Sequence, residues 1–361
     1  MTRAPLAGSL WILWLYDVCE EIDLDALRAI LGVQARREPT VRHPSPEYVR
    51  FERPPVVQPL EPIVLEGGSR LEGELNYYDY GVVSIKLEMP FQADWPELTE
   101  ISSRWMTTPE LEAQAVRTVR RCLGGVHQAL IKPYDNWLSE DYYIIQLKDT
   151  RPALTAGELI AEHGAEIARI VRGEQAELSA GETEEILGSR LSYYPDDLLV
   201  VGWSAAFIHD TAEDAAPTIQ LLEYANTQLL EFRHYDAVLS QLLQGVYRSL
   251  EKKGGFLMRW HLASQAQHLN KIRLDIRELT ERVDTSIKFL SDMFSARLYR
   301  LAAVKVGVED YRRLVDEKLH TAAELYEFMR DQFHQSRAFV LELMVVIILL
   351  IELVYIFRGK T

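Results

Sequence analysis

In Thr218-Ile-Gln-Leu-Leu-Glu-Tyr-Ala-Asn-Thr-Gln-Leu-Leu-Glu-Phe232 the hydrophobic period of the chain changes, and it stays changed to the end. Leu222, Ala225, Leu229, Phe232, Leu239, Leu243, Val246 and Leu250 follow at steps of three and four, with one skipped position at Asp236. That spacing predicts one long helix with a continuous apolar face. Gly254–Gly255 interrupts it, and a second run then carries two interleaved seven-residue series. Ile276, Val283, Ile287, Leu290, Phe294 and Leu301 form the centre of the expected seam, which also takes in Val304. Arg273, Thr280, Arg297 and Lys318 interrupt it, and Gly307 allows a break near 305–308. Sustained heptads mean helices packed side by side, in an intramolecular bundle or a coil between copies.

Further along, Phe339–Phe357 is the strongest local signal: 17 of its 19 residues are apolar, with Glu342 and Glu352 as the exceptions. At about 1.5 Å per residue the run would span about 28 Å, close to the thickness of a bilayer's hydrocarbon core. A two-helix seam cannot cover a run that is apolar all round, so a transmembrane helix is expected, followed by the short polar tail 358–361. Leu341, Glu342, Leu343, Ile351 and Glu352 are the residues expected at its membrane or oligomer interface. Glu352, six residues before Arg358, either reaches the headgroups or faces a helix interface or ion path.

Upstream of Thr218 the pattern alternates. Leu10–Val18 reads as a buried strand leading through Asp23 into a helix over Leu24–Leu31, with Gly32 at its C-terminal end. Residues 39–62 hold seven of the fifteen prolines and predict an extended connection or sheet edge. Arg70–Leu75 and Val82–Leu87 flank a turn at Asn76–Gly81, and Tyr142–Leu147 and Leu198–Ile208 are further strands. Helices are expected at Glu110–Leu123, ending on Gly124–Gly125, and at Ala156–Arg172. The reading is therefore α+β. A mixed α/β domain over 1–210 precedes a helical stem over 218–338, antiparallel or coiled-coil, and the span 339–357.

Charge divides along the same line. The 361 residues hold 39 Lys+Arg and 54 Asp+Glu, a net −15, but residues 251–361 hold 18 and 15. The first 250 residues are therefore at −18 and the remainder at +3. So acidic a head is not built for nucleic acid, whose phosphates require clustered cations. Two cysteines, Cys19 and Cys122, can form neither a disulfide framework nor a four-ligand zinc site. The N-terminus, with Asp17, Glu20 and Glu21 directly after its apolar run, lacks the features of a targeting peptide.

Three motifs invite chemical readings. Gly202-Trp-Ser204-Ala-Ala206 follows an apolar run as a hydrolase nucleophile elbow does, but Ala206 replaces the second glycine, and His209 and Asp210 are sequence neighbours rather than distant partners. Glu231-x-x-His234 has the spacing of one half of a di-iron site, which needs a second such pair and two further glutamates; Glu223 lies two turns earlier and His320 with Glu324 is only an i,i+4 pair, so the default is the wet side of an amphipathic helix. Gly359-Lys360-Thr361 ends like a phosphate loop, but Val354 stands where the first glycine belongs. No catalytic residue, cofactor or metal is expected.

The order Val306-Gly-Val-Glu-Asp-Tyr311, Val315-Asp-Glu-Lys-Leu319, Leu341-Glu342-Leu343 and Leu350-Ile-Glu-Leu353, with the helix around Leu222–Leu229, resembles the "required for meiotic nuclear division" family over about residues 218–357. The resemblance implies an uncharacterised N-terminal domain, long helices and one C-terminal membrane span. The expected function is a non-enzymatic, oligomeric scaffold or adaptor, anchored in the inner (cytoplasmic) membrane by its C-terminal span. Its partners are the lipid bilayer, further copies of the chain and a cytosolic protein. The alternative is an oligomeric cation channel or transporter with Glu352 in the pathway.

Overall fold

The computed structural model describes residues 6–32, 53–64, 70–106, 108–149, 154–251, 293–325 and 327, with shorter pieces at 269–278 (except 270 and 275), 345–346 and 348–349. It divides into two compact units, Met1–His234 with Leu279–Arg312, and Tyr235–Glu278 with Arg313–Thr361.

The first unit is built on β1 (Leu6–Ile22), followed by α1 (Leu24–Leu31). Asp23 accepts from the Asp25 and Ala26 amides, and Gly32 closes the helix at φ 65°. β2 (Val56–Pro59), β3 (Ile63–Val64), β4 (Arg70–Tyr77) and β5 (Val82–Ala93) come next, then α2 (Trp95–Met106) and α3 (Pro109–Val126). After β6 (Leu130–Asp149) the chain forms α4 (Ala156–Arg172), α5 (Ala180–Leu187), β7 (Arg190–Leu191), β8 (Leu198–Val201) and β9 (Ala205–His209). The helical part holds α6 (Ala212–Glu251), α7 (Met293–Val306) and α8 (308–325).

The strands make one mixed sheet in the order β2-β4-β5-β1-β6-β9-β8-β7, with β3 pairing β4 off that path. The β6–β9 pair is parallel and the others antiparallel. β1 lies near the middle and is buried on both faces, which is why it reads as an unbroken apolar run. Leu10, Ile12, Trp14, Tyr16 and Val18 share the main core with residues of α1 to α5, among them Leu27, Leu98, Val119, Ile167 and Ile186. Ser9, Leu13, Leu15 and Asp17 alternate with them, face the other way, and are buried too. That second face lies under α6.

The α+β class and the long C-terminal helices agree with the sequence reading, and β2 is the proline-bearing edge strand. Some elements differ. Leu198–Ile208 is a hairpin of two strands, because the chain reverses at Gly202–Ser204. Val171 approaches so closely there that a Cβ on Gly202 would lie 2.5 Å from its side chain. Gly124 and Gly125 lie inside α3, with open space beside them. At Gly307, where the sequence allowed a break, the backbone turns at φ 94° and separates α7 from α8. Val304, expected in the seam, is 58% exposed. The buried face of α7 is instead Leu298, Tyr299, Ala302, Ala303 and Val306.

In the second unit, Leu239, Leu242 and Val246 of α6 are buried, as are Leu269, Ile272, Ile276, Val315 and Ala322. Arg273 points outward and so does not break the Leu269–Ile272–Ile276 stripe. Asp236 and Lys318, two breaks in the apolar pattern, pair with each other at 2.6 Å, and Lys318 also donates to the Ser240 hydroxyl at 2.6 Å. Among the described residues no helix is long and apolar enough to cross a membrane. The expected span Phe339–Phe357 lies outside them except at Val345, Val346, Ile348 and Leu349, which are helical.

Candidate functional site

From Leu221 to Phe232 every residue of α6 is buried. A helix buried all round is normally apolar, yet this one carries Glu223, Asn226, Thr227, Gln228 and Glu231. Asn226 and Thr227 donate back to the Leu222 and Tyr224 carbonyls at 2.8 and 2.7 Å, a local outlet for side chains of that kind. Glu223 depends on what the sheet presents, whereas both polar atoms of the Gln228 side chain are buried without a partner among the described residues.

Sheet register sets that presentation. Asn76 stands opposite Ser84, and Glu74 opposite Lys86, on neighbouring strands of the second face. Glu223, 1% exposed, accepts from the Asn76 amide at 2.7 Å and from Lys86 at 3.5 Å, and Lys86 is also held by Glu74 at 2.7 Å. Burial alone would lower the Lys86 ammonium, but the carboxylates of Glu223 and Glu74 outweigh it and hold the group above its ordinary value. One turn along α6, Thr227 shares a hydrogen bond of 2.7 Å with the Tyr80 hydroxyl. Burial, then the charge of Glu223, keeps the Tyr78 phenol well above its usual range.

At the far end of this face, His234 Nδ1 lies 2.6 Å from the Asp17 carboxylate, and its ring stacks on Tyr134 with centroids 5.2 Å apart. Burial raises the Asp17 carboxyl, and His234 opposes that shift only in part. Burial, then the Asp17 charge, pushes the Cys19 thiol up to about 12. Arg233 next to His234 pairs with Glu140 of β6. The polar side chains thus connect α6 to β1, β4, β5 and β6. Such an arrangement fixes the rotation and height of the helix on the sheet, because a one-residue slip would strand several buried charges at once.

The residues singled out from the sequence fall elsewhere or take other roles. Ser204 belongs to the β8–β9 turn, where its carbonyl accepts from the Tyr143 amide. His209 Nδ1 lies 3.3 Å from the Leu147 carbonyl, and the Asp210 carboxylate caps the Thr211 amide. The segment is strand–turn–strand, not the strand-to-helix elbow a hydrolase needs. Glu231 is buried, so the wet-side expectation fails for it, and His234 is engaged with Asp17. Among the described residues no group of three or more His, Cys, Asp or Glu can hold a metal ion. Ile276 is buried, Phe294 packs edge-on against Tyr193 with centroids 5.1 Å apart, and Leu301 is half-buried. Val283, Ile287, Leu290, Leu341, Glu342, Leu343, Ile351 and Glu352 lie outside the described residues, as does Gly359–Thr361.

Sequence reasoning missed the buried polar face of α6. Its signal was present, since Glu223, Asn226, Thr227, Gln228 and Glu231 share the side opposite Leu222, Ala225, Leu229 and Phe232, so burial of both sides makes that polar side an internal one.

A family model described as "Uncharacterized protein MJ0711, N-terminal domain" matches residues 7–215, more than half of the chain. The chain is also similar to uncharacterized protein MJ0711 of Methanocaldococcus jannaschii, at 22% identity over 195 residues, covering 54% of this chain and 60% of the relative. It therefore spans less than two thirds of that relative's length. No solved structure matches it. These findings overturn the resemblance to the "required for meiotic nuclear division" family. The match lies on the sheet half, which that resemblance left out, and the order of short helical motifs after residue 218 was not specific enough to carry a family.

Proposed function

We propose that this chain, which belongs to the MJ0711 N-terminal-domain family, is a membrane-tethered, oligomeric scaffold whose sheet unit holds a partner protein. The observation that carries this reading is the exposure of the apolar helical residues near the C-terminus. Val345, Val346, Ile348 and Leu349 are 55%, 51%, 56% and 57% exposed. At about 100° per residue these four cover a broad arc, wider than the seam of a two-stranded coil. An apolar arc of that breadth needs lipid or several neighbours to cover it. The rest of Phe339–Phe357 has the same composition and the length of a span.

Flotation with lipid vesicles tests the anchor. The full chain is expected to float with the vesicles and to stay with them through a high-salt wash, while a chain lacking residues 338–361 stays at the bottom. Retention of the shortened chain on vesicles, or failure of the full chain to float, sinks the reading. Light scattering in mild detergent tests the oligomer, and a monomer there counts against it.

A further inference from the structure

Between Glu112 and Asp135 the chain carries Arg117, Arg120, Arg121 and Lys132 and no acid, although the first 250 residues are at net −18. α3 gathers the arginines on its outer surface. Arg117 and Arg121 are exposed and four residues apart, about 6 Å along one face of the helix. Arg120 lies over the Trp137 ring, and Lys132 pairs with Glu20 at 2.7 Å. Arg117 and Arg121 meet no acid among the described residues. One turn further on, the same face exposes Gly124 and Gly125, and nothing lies within 4 Å of where a Cβ would stand. Glycine inside a helix costs about 0.5–1 kcal/mol relative to alanine. Neither glycine has the positive φ of a helix-ending residue, and α3 continues to Val126. The fold of a single copy has no use for them, whereas a second backbone brought close does.

The complement is on α4 of the same unit. Its outer surface exposes Gly157, Ala161 and Glu162, with Glu166 half-buried one turn beyond. Glu162 and Glu166 are also four residues apart, and they meet no cation among the described residues. Glu158, by contrast, is taken up by the Thr155 cap at 2.8 Å. We propose that α3 of one copy docks antiparallel on α4 of a second copy, with Arg121 against Glu162, Arg117 against Glu166, and Gly124–Gly125 against Gly157 and Ala161. Both ion pairs form at one register because the two sets share their spacing, and the small residues let the helix axes approach to about 8 Å. Acidic copies repel each other over most of their surface, which leaves this arginine face as the point of approach. Every copy carries both surfaces, so the contact is self-complementary. It supplies an interface for the oligomer of the scaffold reading and rests on that reading.

The test is a zero-length cross-link in the full chain in mild detergent. Isotope-labelled copies carrying Arg121→Lys are mixed with unlabelled copies and treated with a carbodiimide, which joins an amine to an adjacent carboxylate. Mass spectrometry reads the link between residue 121 of a labelled copy and Glu162 of an unlabelled one, and a link within one copy never mixes isotopes. The mixed link is expected. Adding Arg117→Glu to the labelled copy should reduce it about ten-fold, and Glu166→Arg in the unlabelled copy should then restore it. Gly125→Leu in the labelled copy should also reduce it about ten-fold by holding the helices apart, although leucine is the better helix former. Arg70→Glu, at an exposed site on β4, should change nothing. Circular dichroism melts confirm that each variant is folded, and the charge exchange decides the matter if Gly125→Leu is not. An oligomer without the mixed link overturns the proposal and leaves the oligomeric scaffold standing. So does a link that keeps its full strength in Arg117→Glu or Gly125→Leu, or whose loss Glu166→Arg does not restore. A monomer overturns this contact and the oligomer together.

Discussion

Glu223 illustrates what a single side chain does in this protein. Its carboxylate is 1% exposed and accepts from Asn76 at 2.7 Å, with Lys86 at 3.5 Å. Removing one member of a buried pair leaves the other charge without compensation, at a cost of about 3–5 kcal/mol, whereas replacing both with apolar groups is often near neutral. Lys86→Met alone should therefore destabilise the protein by about 3–5 kcal/mol in urea melts, and Glu223→Leu by a comparable amount. The double variant should lose less than the sum of the two, since each single change includes the cost of stranding its partner. Strict additivity would mean that the two side chains do not depend on each other. Glu74 also holds Lys86, so a part of the Lys86 contribution survives in Glu223→Leu. Because the Lys86 ammonium is held above its ordinary value, its contribution is present through the neutral range and is lost only as pH rises through the raised value.

At the scale of elements, turns show the difference between a backbone requirement and a contact requirement. Gly307 has φ 94°, and a Cβ there would meet the Trp203 ring at an ordinary 3.5 Å. Gly307→Ala should thus cost about 1–2 kcal/mol, from backbone strain alone, and Gly307→Asn less. Gly202 has the opposite character: a Cβ would lie 2.5 Å from Val171 and 3.0 Å from the Ala205 carbonyl. Gly202→Ala should lower the thermal midpoint more than Gly307→Ala does, and the reverse order would refute this distinction. Both glycines are visible in the sequence, but only the neighbour brought in by α4 gives Gly202 its role. The same holds for whole elements. α1 was legible to its caps because Asp23 and Gly32 act locally. The β8–β9 hairpin was not, because Leu198–Val201 and Ala205–Ile208 are both short apolar runs that periodicity cannot separate. α2 went unread although Asp94 caps it through the Glu97 amide and Pro96 sits in its first turn. Asp236 and Lys318 looked like two faults in the heptads, and it takes packing 82 residues apart in sequence to make them one pair. The polar face of α6 follows the same rule, since Asn76 and Glu223 are separated by 147 residues.

For the whole molecule, the decisive feature is that the sheet unit is not continuous in sequence. It consists of Met1–His234 together with Leu279–Arg312, and α7 belongs to the second piece. α7 places Leu298, Tyr299, Ala302, Ala303 and Val306 in buried positions, and Tyr299 meets Tyr224 of α6 with ring centroids 5.8 Å apart. Burial of a side chain such as Leu298 or Val306 stabilises by about 1.5–3 kcal/mol. A domain as a whole is stable by only about 5–15 kcal/mol, so loss of the helix removes a large share of the margin. A fragment ending at His234 contains every described strand and still lacks this cover. It should aggregate or bind a hydrophobic dye strongly, whereas a chain ending at residue 337, which keeps α7 and lacks the apolar run, should not. Ala302→Arg in that 1–337 chain separates this cause from loss of the segment as such. With Ala302 fully buried, a long charged side chain there should loosen α7 and reproduce the dye binding. A monodisperse 1–234 fragment that melts as cooperatively as the full chain would show that the sheet unit closes without α7. The packing of Tyr224 on Tyr299 would then be an accessory to the fold and not part of its core.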